Sequence, residues 1–254
     1  MRSVVLDLET TATSRWYALR DVRPTDGWRL VCFPFAGGGG SVYRGWSGAL
    51  AGLGGAVVPA LLPGREGRFR EPALDRMDEL AGKLADALDP LLDCPLVLFG
   101  HSFGGAVAIA VAHELQRTRI APAHVVLSCT APPAATARAG RRSAEALLAE
   151  RRRAGLDPDL LEAMRPTLEA DLRCAASSQR TNRLSCPITA VGARDDVIVP
   201  SSWTGRWSAM TEATFETAVV AGGHLYLVDD PRPVLDIIAA LLRPLAARRR
   251  GGPR

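Results

Sequence analysis

Lysine is almost absent from this chain of 254 residues. Lys83 is the only one, so Arg supplies the other 30 of 31 basic side chains, a bias of codon usage rather than of chemistry. The formal charge of +4 is just as local. Arg243, Arg248, Arg249, Arg250 and Arg254 lie in a C-terminal stretch without an acid, and without them the body is close to neutral. A near-neutral body offers no electrostatic footprint for nucleic acid. Cysteine pairs are lacking too. Cys32, Cys94, Cys129, Cys174 and Cys186 are odd in number and widely spaced, with no C-x-x-C, so neither a disulfide framework nor a zinc site has support. The N-terminal MRSVVLDLET carries Asp7 and Glu9 where a secretory signal needs an apolar core, so a cytoplasmic protein is expected. No apolar run reaches the roughly 20 residues of a spanning helix. The longest, LVLFGHSFGGAVAIAVA at 96–112, is interrupted by His101, Ser102 and glycines. No membrane association is expected.

Apolar residues make up 47% of the chain and charged residues 23%, the balance of a folded globular protein. Residues 1–27 are mixed and polar and are expected to lie on the domain surface as a leader. After them come six short apolar runs of strand length: 29–35, 56–62, 95–100, 124–129, 187–192 and 216–222. Continuous apolarity marks strands covered on both faces of a parallel sheet. Stretches of helical spacing lie between them, as in Met77, Leu80, Leu84, Leu88 and Leu91. Strand alternating with helix predicts a doubly wound, mostly parallel α/β domain. The interval 131–186 is far longer than a usual crossover. It carries two or three helical pieces, in EALLAERRR, DLLEAM and TLEADLRCAASS, and is expected to form a helical lid over a site. The predicted organisation is therefore a core of 28–130 and 187–246, a lid of 131–186 and a basic tail of 247–254.

Chemistry concentrates at Gly100-His101-Ser102-Phe103-Gly104. G-x-S-x-G alone is a weak pattern, but here a buried strand enters it and an apolar helix leaves it. That is the strand–turn–helix of a nucleophile elbow, with Ser102 in strained geometry. A serine hydroxyl needs a base that is itself oriented by an acid, in the chain order serine, acid, histidine. Of four histidines only His224 lies late in the chain, after the strand-like run and Gly222-Gly223. His113 and His124 fall inside elements as packing or surface residues, and His101 is expected to point away from the nucleophile. The acid follows PITAVG as Asp195 or Asp196. Asp196 stands in register with a following Val-Pro, and Asp195 is one residue out. An oxyanion hole needs the N–H of the residue after the nucleophile, Phe103, and a second N–H from the loop after an early strand. FPFAGGGGS supplies that loop, with Ala36 as the donor and Phe35 its neighbour. The glycines are not a phosphate loop, since no Gly-Lys-Ser/Thr follows.

Taken in order, FPFAGGGGS-x-Y-x-x-W, LPGREGRFREP, LFGHSFGG, PITAVGARDD and GGHLYLVDD resemble the type II thioesterases of polyketide and nonribosomal peptide pathways. The resemblance runs from about Leu30 to Leu242. It implies an α/β-hydrolase fold with a helical lid, and hydrolysis of acyl or aminoacyl thioesters on the phosphopantetheine arm of acyl or peptidyl carrier proteins. Such hydrolysis frees stalled or misprimed synthases. The motif match puts the nucleophile at Ser102, the acid at Asp196, the base at His224 and the oxyanion donors at Ala36 and Phe103. No cofactor or metal of the chain's own is implied, and a monomer is expected. The chain departs from the family at Phe103, where methionine is frequent, and in the run of four glycines. A general esterase or a cyclising, product-releasing thioesterase would use the same residues. Two arginine clusters in the lid, Arg138, Arg141 and Arg142 with Arg151, Arg152 and Arg153, are either a carrier-docking surface or a solvated face.

Overall fold

The computed structural model describes residues 12–132, 145–149, 151, 152, 155, 157–178 and 182–250. In chain order, the first half of the fold comprises α1 (Ala12–Trp16), β1 (Arg29–Phe33), α2 (Trp46–Leu50), β2 (Ala56–Pro59), α3 (Met77–Ala87), β3 (Leu96–His101), α4 (Phe103–Thr118) and β4 (His124–Ser128). The second half comprises α5 (Pro158–Ala176), β5 (Ile188–Ala193), β6 (Phe215–Val220), α6 (Tyr226–Asp229) and α7 (Arg232–Arg250). Six strands form one sheet in the order β2-β1-β3-β4-β5-β6. Every neighbouring pair is parallel.

Successive side chains of a strand point to opposite faces, and both faces are used. Val31, Phe33, Leu98, Val125 and Leu127 join α3 and α4 in one core. Leu30, Cys32, Val97, Phe99 and Val126 meet Trp46 of α2 and Val234, Ile238 and Leu242 of α7 in the other. That division accounts for the unbroken apolar runs. The sixth run differs from the expectation. β6 is one of the two edge strands, and Glu216, Thr217 and Val219 are exposed. Phe215 packs on the first core and Ala218 and Val220 on the second, while the exposed charge of Glu216 on this edge strand is a usual guard against strand addition.

The expected surface leader also differs. Trp16 and Tyr17 are buried in the first core, and the Tyr17 hydroxyl donates to Leu84 O at 2.9 Å. Tyr17 bridges Ala60 beyond the end of β2, so the segment from residue 12 is packed structure; residues 1–11 lie outside the described residues. Between β4 and β5, the second and third helical pieces of the long insertion are one helix, α5, which continues through Pro166. Pro158 opens it, and the Asp157 side chain caps it by accepting the Asp159 and Leu160 N–H groups. Leu147, Leu148, Leu161 and Leu168 are buried in the first core, so the insertion is anchored to the domain. Among the described residues no helix is long and apolar enough to cross a membrane.

Candidate active site

β3 ends and α4 begins at Ser102, whose φ of 55° and ψ of −117° are a conformation that a side-chain-bearing residue adopts only under constraint. The constraint is visible. Ser102 N–H donates to Ser128 O at the end of β4 at 2.8 Å. A Cβ on Gly100 would stand 2.0 Å from Gly104 O, and one on Gly104 would stand 2.0 Å from Phe33 O. Only glycines let strand β3, helix α4 and the end of β1 approach so closely.

The turn aims Ser102 Oγ at His224 Nε2, 2.8 Å away. His224 Nδ1 in turn meets Asp196 Oδ2 at 2.8 Å. Ser102 follows the end of β3, Asp196 the end of β5 and His224 the end of β6, so three parallel strands of one sheet deliver the three side chains at its carboxyl edge, with β4 lying between β3 and β5. Asp195 lies outside this arrangement. Its side chain is exposed, and its N–H donates to Gly222 O at 2.9 Å. Asp196 Oδ1 accepts the N–H groups of Ile198 and Val199, each at 2.8 Å. Burial by itself would raise the Asp196 carboxyl. The hydrogen bonds from His224, Val199 and Ile198 outweigh burial and hold the group below the usual carboxylate range.

Around this row lies a set of polar residues that sequence reasoning did not foresee. His101 is fully buried rather than turned away from the site. Its ring stands 5.3 Å from that of His224, and its Nδ1 is 2.9 Å from Ser128 Oγ. Ser128 Oγ is also 2.8 Å from Tyr226 OH. Burial, and then the neighbouring His224, push the His101 pKa well down, so the ring is neutral. Cys129 lies beside Asp196, and burial pushes its thiol well up. His101, Cys129 and His224 bring nitrogen and sulfur atoms within 4.8 Å of one another, a donor set that zinc accepts. Both His224 nitrogens and His101 Nδ1 already hold hydrogen bonds, however, so a metal would have to break the row. His113 and His124 pack as expected, against Asn182 O and Thr189 Oγ1.

The expected oxyanion donors, Ala36 and Phe103, are both buried. Phe103 is the first residue of α4, where an N–H has no partner within the helix. Ala36 sits on the loop after β1, between Phe35 and Gly37. A cavity of about 530 Å³ opens beside it, with Phe35, Gly37, Leu225, Leu160, Met164 and Val228 in its lining. From the long insertion, Leu160 and Met164 line the cavity, whereas Leu147, Leu148, Leu161 and Leu168 fill the core. Arg151 also lines it. The residue is 2% exposed and donates to Ala36 O, with its guanidinium over the Phe35 ring. It is thus part of the cavity wall and not of a docking surface. Arg152 is exposed, and Arg138, Arg141, Arg142 and Arg153 lie outside the described residues. A larger groove of about 960 Å³ by Trp16, Arg68 and Lys83 holds none of these side chains.

Two other residues tie the loop down. Arg65, in the LPGR motif, pairs with Asp171 of α5 at 2.7 and 2.8 Å. Asp171 was legible only as an acid in phase with Leu168 and Ala175 on the apolar stripe of a helix, a misfit that asks for a buried partner.

The thioesterase domain family matches residues 28–242. A probable cadicidin biosynthesis thioesterase of Streptomyces griseus is 33% identical, over 95% of this chain and 70% of its own length. The RedJ thioesterase of the prodiginine pathway in Streptomyces coelicolor superposes with a TM-score of 0.74 at 33% identity, covering 85% of this chain and 86% of RedJ. The type II thioesterase BorB of the borrelidin cluster superposes with a TM-score of 0.78 at 31% identity, covering 92% of this chain and 97% of BorB. With its parallel sheet of the α/β-hydrolase fold, the chain belongs to the thioesterase family, alongside the type II thioesterases of biosynthetic pathways.

Proposed function

We propose that this thioesterase removes acyl or aminoacyl groups from the phosphopantetheine arm of carrier proteins, editing stalled or misprimed polyketide or nonribosomal peptide synthases. The observation that carries the reading is the row Ser102–His224–Asp196, 2.8 Å at each step, at a strained elbow, with a mostly apolar cavity lined by Phe35, Gly37 and Leu225, the chain neighbours of Ala36 and His224. Ser102 Oγ attacks the thioester carbonyl while His224 Nε2 takes its proton, and Asp196 holds the Nδ1–H side of the ring. The Ala36 and Phe103 N–H groups receive the developing oxyanion. Collapse expels the pantetheine thiol, to which His224 returns the proton. Water, activated by the same histidine, then releases the free acid from Ser102. The chain supplies no cofactor in this scheme, because the phosphopantetheine belongs to the carrier.

Entry from a carrier is supported by the cavity mouth. Phe69, Leu160 and Val228 all line the cavity and are 62%, 51% and 56% exposed, an apolar rim of the kind that marks a binding surface. The chain is read as a cytosolic monomer, in keeping with five free cysteines. Intact-mass spectrometry of a panel of acyl-carrier proteins tests the function. Loss of the acyl mass with appearance of free acid is expected. A cyclised product would identify a releasing enzyme, and turnover of simple esters with none on carriers would identify a general esterase.

A further inference from the structure

We propose that Arg65 and Asp171 are positioning residues that couple the docking of α5 to the loop bearing the Ala36 oxyanion donor, so that the hole is in shape only when α5 is seated. The inference rests on the thioester-hydrolysis reading for what the loop does.

The loop after β1 is made of Gly37, Gly38, Gly39 and Gly40, and Gly37 has a φ of +68°. Four glycines have little of their own to hold one shape, because glycine surrenders more backbone freedom than any other residue on ordering. Their order is supplied from outside. Asp171 Oδ2 accepts the Gly37 N–H at 2.7 Å. Arg65 Nη1 donates to Gly38 O at 3.2 Å, and Arg65 Nε donates to Pro63 O at 3.1 Å. The Glu66 carboxylate accepts the Gly40 and Ser41 N–H groups at 3.0 and 3.1 Å. One carboxylate on α5 thus fixes the peptide that directly follows Ala36, and its ion-pair partner holds the Gly38 carbonyl further along the loop.

Arg65 is 7% exposed and Asp171 1%. Their fork-to-fork pairing satisfies both charges with α5 in place, and Thr167 of the same helix adds a bond to Gly64 O at 2.9 Å. Lifting α5 would strand the Arg65 charge in a poorly hydrated site, which makes intermediate positions of the helix unfavourable. The same helix carries Leu160 and Met164 of the cavity wall. Arg151 also holds the loop through Ala36 O, but the Arg65–Asp171 pair is the contact that links the seating of α5, and with it the cavity wall, to the peptide after Ala36.

The test compares wild type, Asp171→Asn and the double variant Arg65→Met/Asp171→Leu on p-nitrophenyl butyrate. Glu169→Ala, exposed on the same helix, serves as control. Two ligands are measured beside turnover. One is an alkyl trifluoromethyl ketone, to which Ser102 Oγ adds: the O–C bond forms, the proton passes to His224, and the carbonyl π pair becomes the oxyanion. The other is an unreactive thioether of the same chain. Coupling predicts a fall in kcat of roughly 10- to 100-fold with KM held within about threefold, short of the full loss of an oxyanion donor. Ketone affinity should fall with kcat while thioether affinity holds. Turnover within twofold of wild type in both variants overturns the proposal, and so does an equal loss of both ligands, which would mean that the pair only shapes the cavity. If Asp171→Asn does not fold, the double variant decides, since it leaves no unpaired buried charge. A wild type that cleaves the ester but no carrier thioester overturns the carrier reading and leaves this coupling to stand or fall on the ester data.

Discussion

Replacing Asp196 by asparagine changes one atom, and the structure dictates the consequence. Oδ1 accepts two backbone N–H groups, from Ile198 and Val199, and Oδ2 faces His224 Nδ1. The residue is 7% exposed, so solvent offers no alternative partners. An asparagine must keep its oxygen toward the two N–H donors, because the reverse sets an amide NH2 against both. Its NH2 then points at Nδ1, which becomes an acceptor, and the ring proton moves to Nε2. There it faces Ser102 Oγ as a donor and cannot take the serine proton. A wrong tautomer of this kind lowers kcat by about 10⁴, or about 5.4 kcal/mol at about 1.36 kcal/mol per tenfold. Asp195→Asn should stay within about twofold of wild type, because the bond Asp195 makes to Gly222 comes from its backbone. The assay is steady-state hydrolysis of an acyl-pantetheine thioester with thiol detection, with circular dichroism confirming the fold of both variants. Retention of more than about a tenth of wild-type kcat by Asp196→Asn would refute the reasoning, as would a more severe loss in Asp195→Asn.

Ser102→Ala should keep its melting temperature and lose both turnover and labelling by a fluorophosphonate; labelling that persists at another serine would displace Ser102 as nucleophile. Gly104→Ala drives a methyl to 2.0 Å from Phe33 O, and overpacking of about 1–3 kcal/mol should lower the melting temperature by several degrees; an unchanged melt would mean that the elbow has room to relax. Acid should weaken the fold through His101 and His124, whose folded pKa values are lowered by burial, in His124 to about 4 from 6.5. The unfolded chain then binds more protons than the folded one, so stability is full above pH 6.5 and is lost as the pH falls toward 4 for His124, at up to about 1.4 kcal/mol per unit and group. His124→Gln, scanned by thermal melting between pH 7 and 4.5, should flatten part of that slope, and an identical slope would show that other groups carry it.

Strands and helices were readable because each is a local pattern. The runs at Leu30, Val97, Val125 and Ile188 are apolar at every position since the sheet is covered on both faces, and α3 shows its buried stripe from Met77 to Leu84. Ser102 was readable from an elbow whose glycines are required within a few residues of it. The edge position of β6 was not, because order in a sheet is a relation between distant segments and leaves little trace in any one of them.

The sequence by itself determined the elbow, the serine, the single late histidine and an acid narrowed to two neighbours, since these are fixed by chain order and by turns that span few bonds. Tertiary structure decided which of the two carboxylates meets His224, because one residue of register in a loop turns a side chain from the site into solvent. It also decided that Trp16 and Tyr17 belong to the core, that Arg151 is wall rather than surface, and that Arg65 meets Asp171 across 106 positions of chain. Buried polar groups must find partners wherever the fold brings them, and that pairing is made in space and not along the sequence.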